Sequence, residues 1–400
     1  MSKRTSNDEH GQAIDRAAQE AGGREEALSG EIDEAAALVG ELLAQPGAER
    51  HGLIQEVRFH GLKICQLLLE RSEALWCEDA GAAVEVARLA VEVSGRLDAA
   101  WYGKGLVEDM QAMAWACLGN SYRVASDLRS AEEALDRAEA HLERSGGEAY
   151  TEAEILSFRA SLRSSQCRFR EAVKLLDRAL RIYRSARDRH FEGKALIQKG
   201  LYLGYDGQFE RAVRSLRQGL SRIEATEDPR LLISAQHNLA GFLNDSGQHD
   251  QALDTLRKAR RLYADLGEPS HRARLSWLEG RITRDLGRLE EAETALKEAR
   301  DFFVEHEIGL DAARVLLDLA TVYAQRGDTA ELKRLSAEMV PIFASRDLHP
   351  EALAAVALFQ QAAEAEQVDR ALLDRIVAEL RRTPVTILGY PLPGGGNEPL

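Results

Sequence analysis

The 400-residue chain carries 52 Lys and Arg against 66 Asp and Glu, a net charge of −14, with 44% hydrophobic and only 6% aromatic residues. That length suits two or three globular domains or one long repeat array, and the apolar fraction is ample for a core. The acidic balance excludes broad contact with a nucleic-acid backbone, which needs a basic face, so no direct nucleic-acid partner is expected beyond what a local basic patch would hold.

Residues 1–30 hold scarcely a large apolar side chain and are expected to form a disordered acidic tail. Residues 31–111 read as divergent N-terminal helical hairpins: a short helix over about 31–45, broken at Pro46 and Gly47, then a pair over 53–75 and 80–97. From 112 to 345 the pattern becomes helix, short turn, helix, six times over. Residues 351–366 and 369–382 continue as a helical pair within 346–383, with Leu372, Leu373, Ile376, Val377 and Leu380 on one apolar face. A last helix that is polar outside is what an open-ended array needs as a cap. The remainder, 384–400, carries Pro384, Pro391, Pro393 and Pro399 around a glycine run and cannot be helical.

The six central units share a register. Gly207, Gly247, Gly287 and Gly327 stand 40 residues apart, and five residues after the first three come Ala212, Ala252 and Ala292, with Leu332 in the fourth place. Ala172 and Ala131 extend the series upstream. Twelve residues before each of these stand Gly119, Ala160, Gly200, Ala240, Gly280 and Ala320, all small, as two closely crossing helices require. Four after come Leu135, Leu176, Leu216, Leu256 and Leu296; seven after, Ala138, Ala179, Gly219, Ala259 and Ala299; eleven after, Leu142, Tyr183, Ile223, Tyr263, Phe303 and Phe343. Those offsets trace one stripe of an α-helix. The glycine five before Ala212, Ala252 and Ala292 suits the left-handed residue that ends the preceding helix.

This pattern resembles the tetratricopeptide repeat. Trp115, Leu118, Gly119, Tyr122, Ala131 and Ala138 fit that family's consensus best, and the resemblance covers about 112–345. It implies an all-α fold, a right-handed superhelical solenoid of antiparallel helix pairs. The interval of 40 departs from the family's usual 34 and is similar to the longer repeats of kinesin light chains and of sensor domains in bacterial peptide-responsive regulators. The consensus weakens in the last unit, where Leu332 and Met339 replace alanines.

Little in the chain has the spacing of a catalytic or metal site. There is no phosphate-binding loop, no His-Glu-x-x-His and no Gly-x-Ser-x-Gly, so neither an enzyme nor a cofactor is expected. Cys65, Cys77, Cys117 and Cys167 lack metal-ligand spacing and make no disulfide framework; they read as reduced thiols packed like small apolar residues. No apolar run reaches the length of a membrane span and the first residues lack a signal-peptide core, so no membrane partner and a cytoplasmic location are expected.

The family resemblance points to the concave groove lined by the first helix of each unit. Carried over by position, the lining residues are Asn120, Arg123, Lys194, His237, Asn238, Asn244, Arg274, Trp277, Arg281 and Arg284. Asn238 stands where such repeats often grip a ligand's backbone amide, since an asparagine donates and accepts at once. Arg281 and Arg284 share a helix face and suit a carboxylate or phosphate. Each has a purely structural alternative: Asn238 as a bridge between helices, the arginine pair as a balance for Glu279, Asp285, Glu290 and Glu291, Trp277 as core. The reading is a scaffold or adaptor for a protein or peptide. The alternatives are a sensor that binds a small peptide and acts on a separate transcription or signalling partner, because the first 50 residues supply no helix-turn-helix, and an enzyme hidden in a helical array.

Overall fold

A computed structural model describes residues 25–76, 78–223, 229–264, 269–306 and 308–344, with Phe359 and Leu372. All regular structure among them is helical. The N-terminal helices are α1 (Glu25–Ala44), α2 (Gly47–Leu53), α3 (Leu62–Leu75), α4 (Ala80–Ser94) and the single turn α5 (Ala99–Tyr102). Then come α6 (Lys104–Val124) and α7 (Leu128–Ser145), α8 (Ala149–Ser165) and α9 (Phe169–Ser185), α10 (Arg189–Tyr205) and α11 (Phe209–Leu220). The last are α12 (Pro229–Asp245) and α13 (His249–Ala264), α14 (Pro269–Asp285) and α15 (Leu289–Glu305), α16 (Gly309–Arg326) and α17 (Thr329–Ala344). The all-α fold class expected from the periodicity is the one observed.

The chain divides into two compact units. One comprises the helices up to Asp206 together with Gln218–Glu227; the other comprises Gly207–Arg217 and the helices from Asp228 onward. Within each, the first helix of a pair packs along the second and also touches the first helix of the next pair. The stripe read from the sequence is the seam. Ala131, Ala172, Ala212, Ala252 and Ala292 are fully buried, as are Leu135, Leu176, Leu216, Leu296, Ala138, Ala179, Ala259 and Ala299. A methyl group built on Gly119 would sit 2.8 Å from Leu135 Cγ, and one on Gly280 would sit 2.5 Å from Leu296 Cγ. The small residues twelve before each alanine are thus the crossing points, where backbone meets the neighbouring helix.

Each turn inside a pair ends its first helix in the same way. Gly247, Gly287 and Gly327 hold φ between 70° and 77–78°, and the next residue's N–H reaches back to close the helix: Gln248 to the Leu243 carbonyl at 2.8 Å, Arg288 to Thr283 at 2.9 Å, Asp328 to Tyr323 at 2.9 Å. The two earlier units use the same geometry without glycine. Ser126 and Cys167 take φ of 64° and 59°, with Asp127 donating to the Tyr122 carbonyl and Arg168 to that of Arg163. Aspartates then start several helices; the Asp127 carboxylate accepts from the Ser130 N–H and Asp188 from the Phe191 N–H, both at 3.0 Å.

Three findings differ from the sequence expectation. Helix α1 opens at Glu25, inside the segment 1–30 expected to be unstructured, because Leu28 prolongs the apolar series Ile32, Ala35, Val39 and Leu42. The helix expected from residue 53 starts only at Leu62, after a 3₁₀ turn at Val57–Phe59. Cys167, expected to pack as a small apolar residue, is exposed in its left-handed turn, whereas Cys65 and Cys117 are buried. Residues 1–24, Cys77 and the tail 384–400 lie outside the described residues. Of the pair at 351–366 and 369–382 only Phe359 and Leu372 are described, both helical and buried in the apolar cluster that also holds Leu332 and Leu335.

Candidate functional site

Side chains that leave the apolar seam from the first helices form polar faces, one in each unit. In the second unit this face runs across α12, α14 and α16 as a ladder of contacts between residues about one repeat apart. Asn244 donates to Asp285 at 2.6 Å and its carbonyl oxygen pairs with His249 Nδ1 at 2.9 Å. Arg281 donates to Asp245 at 2.8 Å. Arg284 bridges two carboxylates, Asp285 at 2.9 Å and Asp318 at 2.6 Å, while Trp277 Nε1 donates to the other oxygen of Asp318 at 2.7 Å. Arg274 lies 3.5 Å from Asp311. Arg281 and Arg284 meet carboxylates of their own chain, each by single hydrogen bonds. Burial opposes the charge on Arg284, but Asp318 and Asp285 outweigh it and hold the guanidinium ionised. Asp285 is held below the usual carboxylate range against its burial, chiefly by the hydrogen bond from Arg284.

His237 sits on the same face. Burial, reinforced by the positive charges of Arg274 and Arg281, pushes its imidazole down to about 3, so it is neutral at physiological pH. Asn238, half-buried, donates to the Ser234 carbonyl one turn back at 2.7 Å, which leaves its carbonyl oxygen for another partner. Trp277 lays its ring edge-on against Phe303, centroids 6.2 Å apart. The ring is packed partly against the core while its Nε1 meets Asp318.

The first unit's face, across α3, α6, α8 and α10, is built differently. Asn120 and Arg123 are buried and bonded to each other, Arg123 Nε to Asn120 Oδ1 at 2.8 Å. Lys194 is half-buried with its ammonium 5.7 Å from the Phe191 ring centroid. Sequence reasoning passed over the acids here. Asp109 is buried, with Oδ2 accepting from the Thr151 hydroxyl at 2.8 Å. Burial pushes the Asp109 and Glu154 carboxyls up to about 7, and holds that of Glu73 well above the usual range with help from the charge of Glu154. Farther along, Gln198 Nε2 donates to Ser161 at 2.8 Å and Tyr202 O–H to the same hydroxyl at 3.1 Å.

Of the ten residues placed in the groove by position, the structure brings His237, Asn238, Asn244, Arg274, Trp277, Arg281 and Arg284 together on one face. Asn120, Arg123 and Lys194 lie in the other unit. Asn120, Arg123 and Asn244 are buried and bonded within the chain, which corrects their assignment as open groove contacts: the neighbouring first helix packs over them. The partners that sequence reasoning missed, Asp245, Asp311 and Asp318, share one signal, a complementary group 34 to 41 residues from an arginine or tryptophan on the adjacent first helix. Among the described residues no group of His, Cys, Asp or Glu could hold a metal ion, and no helix is long and apolar enough to cross a membrane.

A family model described as Tetratricopeptide repeat matches residues 110–185, 151–225 and 231–305. The repeated hairpins are tetratricopeptide repeats. Solved structures of the same fold include a Rap protein complexed with Competence and Sporulation Factor, 17% identical, covering 80% of this chain and 87% of that one at a TM-score of 0.57. Another is aspartyl phosphate phosphatase F from Bacillus subtilis, 15% identical, covering 76% of each chain at 0.55. A third is the apo form of the quorum sensor NprR from B. thuringiensis, 16% identical, covering 89% of this chain and all of that one at 0.51. None of the curated proteins compared with the chain matches it. At these identities the likeness is one of tetratricopeptide-repeat fold alone.

Proposed function

We propose that the chain is a non-catalytic scaffold or adaptor that holds a peptide or protein segment against the first-helix face of its second unit. One observation carries the reading. His237, Asn238, Arg274, Trp277 and Arg281 stand half-buried on a single face of adjacent helices, outside the alanine and leucine seam that holds the repeats together. Such a face offers an amide for backbone contacts and guanidinium groups at its rim, with an aromatic between them, which is how helical repeats hold extended or helical segments. Arg281 keeps 19% of its side chain exposed beside Asp245, so a ligand carboxylate competes with that aspartate for the same guanidinium.

The test is partner capture on the purified chain followed by the double substitution Asn238→Ala with Arg281→Glu. Loss of the captured partner, with helicity unchanged by circular dichroism, supports the reading; a double variant that retains every partner at full affinity refutes it. A second reading is a sensor that responds to a small peptide. Two fold neighbours favour it, the quorum sensor NprR and the Rap protein complexed with Competence and Sporulation Factor. Peptide-dependent compaction in small-angle scattering distinguishes the sensor, whereas a scaffold binds without that change.

A further inference from the structure

We infer that the solvent face of α9, the second helix of its repeat, is a docking surface for an acidic segment of a protein partner. Arg170, Lys174, Arg178, Arg181 and Arg184 are all exposed there. At about 100° per residue they share roughly one third of the helix circumference, a stripe about 21 Å long. It lies opposite the buried Ala172, Leu176 and Ala179. Arg187 and Arg189 carry the charge past its end, and Glu171 is the only exposed acid of the helix, since Asp177 is held by Lys199 at 2.6 Å. Lys174, Arg181, Arg187 and Arg189 make no ion pair with any described residue. Arg170, Arg178 and Arg184 reach Asp206, Glu152 and Glu192 at 3.4, 3.2 and 2.9 Å, with each guanidinium open to water. Pairs so exposed are worth little and yield to a competing carboxylate.

The fold does not call for these cations. On α15 the places equivalent to Arg170, Lys174, Arg178 and Arg181, counted from the repeat's alanine, hold Glu290, Thr294, Glu298 and Asp301, all exposed as well. Packing leaves the sign of the charge open, so a cationic stripe on a chain of net charge −14 marks a surface complementary to an anionic partner. What surrounds the stripe selects that partner. Among the described residues the exposed large apolar side chains are Val57, Trp101 and Val304, none of them on α9, so nothing there anchors in a lipid surface. The aromatics of α9 offer a nucleobase no platform: Phe169 lies against Tyr205, and Tyr183 is buried against Phe191. Both α7 and α9 pack on α8, and α7 exposes Glu133, Asp136 and Glu143, which would repel a nucleic-acid backbone running beyond the stripe. A helical segment with carboxylates three or four residues apart matches the stripe in spacing and can end where it ends.

The experiment measures, by fluorescence anisotropy on the full chain, binding of a labelled helical peptide with glutamate at every third or fourth place. Its glutamine counterpart, a DNA duplex and phosphatidylserine vesicles are measured beside it. The glutamate peptide is expected to bind at least about tenfold more tightly than the glutamine peptide, and about tenfold more weakly at 0.3 M than at 0.05 M salt. Lys174→Glu with Arg178→Glu and Arg181→Glu should weaken it about tenfold or more. The same reversal at Arg257, Lys258 and Arg261 on α13, where Asp250 and Asp254 interrupt the exposed cations, alters net charge equally and should change affinity about twofold or less. Lys174→Gln with Arg181→Gln serves should the triple reversal not fold. The assignment is overturned if the glutamate peptide does not bind, or if the α9 and α13 variants lose equally. Tighter binding of the duplex or the vesicles, or self-association of the chain that the α9 reversal abolishes, overturns it in favour of another occupant. No residue of the second-unit first-helix face changes in any of these variants.

Discussion

Gly280 and Gly241 offer opposite outcomes from one chemical change. Both are glycines inside first helices of the second unit, and Gly→Ala in a helix interior gains about 1 kcal/mol by restricting the unfolded chain. A methyl group on Gly241 meets nothing within 4 Å, so Gly241→Ala should raise stability by most of that amount. A methyl group on Gly280 lies 2.5 Å from Leu296 Cγ, 2.8 Å from Leu296 Cδ2 and 3.1 Å from the Ala292 carbonyl oxygen. Cγ is the branch point beside the backbone and the carbonyl is backbone, so neither swings aside; α14 and α15 must separate, loosening Ala292, Leu296 and Ala299 together. Overpacking of this kind costs about 1–3 kcal/mol, and with backbone involved the upper end applies. The net loss for Gly280→Ala is then about 2 kcal/mol, and the two variants differ by about 3. Urea denaturation followed at 222 nm measures both midpoints against the parent. A Gly280→Ala variant as stable as Gly241→Ala would refute the close crossing, and with it the reading of the small residues twelve before each alanine.

Three further substitutions probe other parts of the structure. Cys167→Gly should stabilise by about 0.5–1 kcal/mol, since a side chain at φ of 59° carries the left-handed penalty and glycine's entropy cost offsets only part of it; Cys167→Ala, measured by the same denaturation, should give no gain. Arg284→Ala should cost about 3–5 kcal/mol by leaving Asp285 and Asp318 buried without their cation, while Arg284→Met combined with Asp318→Leu should recover most of it in the thermal midpoint. Asp109→Asn tests the sign of a titration. Burial lifts the native carboxyl to about 7, above its unfolded value near 4, so its contribution is full below pH 4 and is lost as pH rises toward 7. The parent should therefore lose stability relative to Asp109→Asn between those limits, by up to about 4 kcal/mol, and parallel profiles would contradict the buried placement.

The seam was legible because helical repeats write packing into residue size. Ala252 and Ala292 are small wherever two helices touch, and Gly247 and Gly287 recur wherever the backbone turns left-handed, so spacing alone located them. The same geometry at Ser126 and Cys167 was hidden, because local hydrogen bonds from Asp127 and Arg168 close the turn whatever side chain occupies it. The polar faces were half legible. Position along the helix told which side Asn120, Arg123 and Asn244 face, but not how closely the next first helix covers them, and that distance decides between ligand contact and internal pairing. Glu73 and Glu154 gave no signal, since in an Arg- and Glu-rich helical sequence a buried carboxyl is spelled like a solvated one.

The two first-helix faces differ in how their charges are balanced, and the difference bears on function. In the second unit Arg274, Arg281 and Arg284 are matched against Asp311, Asp245 and Asp318 on neighbouring helices, each guanidinium with a carboxylate about one repeat away, and Asp285 adds a second carboxylate to Arg284 from the same helix. A compensated ladder adds little net stability but sets the register of one repeat on the next, because a slip would strand several buried charges at once. In the first unit burial raises the carboxyls of Glu73, Asp109 and Glu154 above the usual carboxylate range. A carboxyl raised in this way costs stability as it ionises. The compensated ladder is therefore a frame that fixes one repeat on the next, and Asn238 and Arg281 are held beside it.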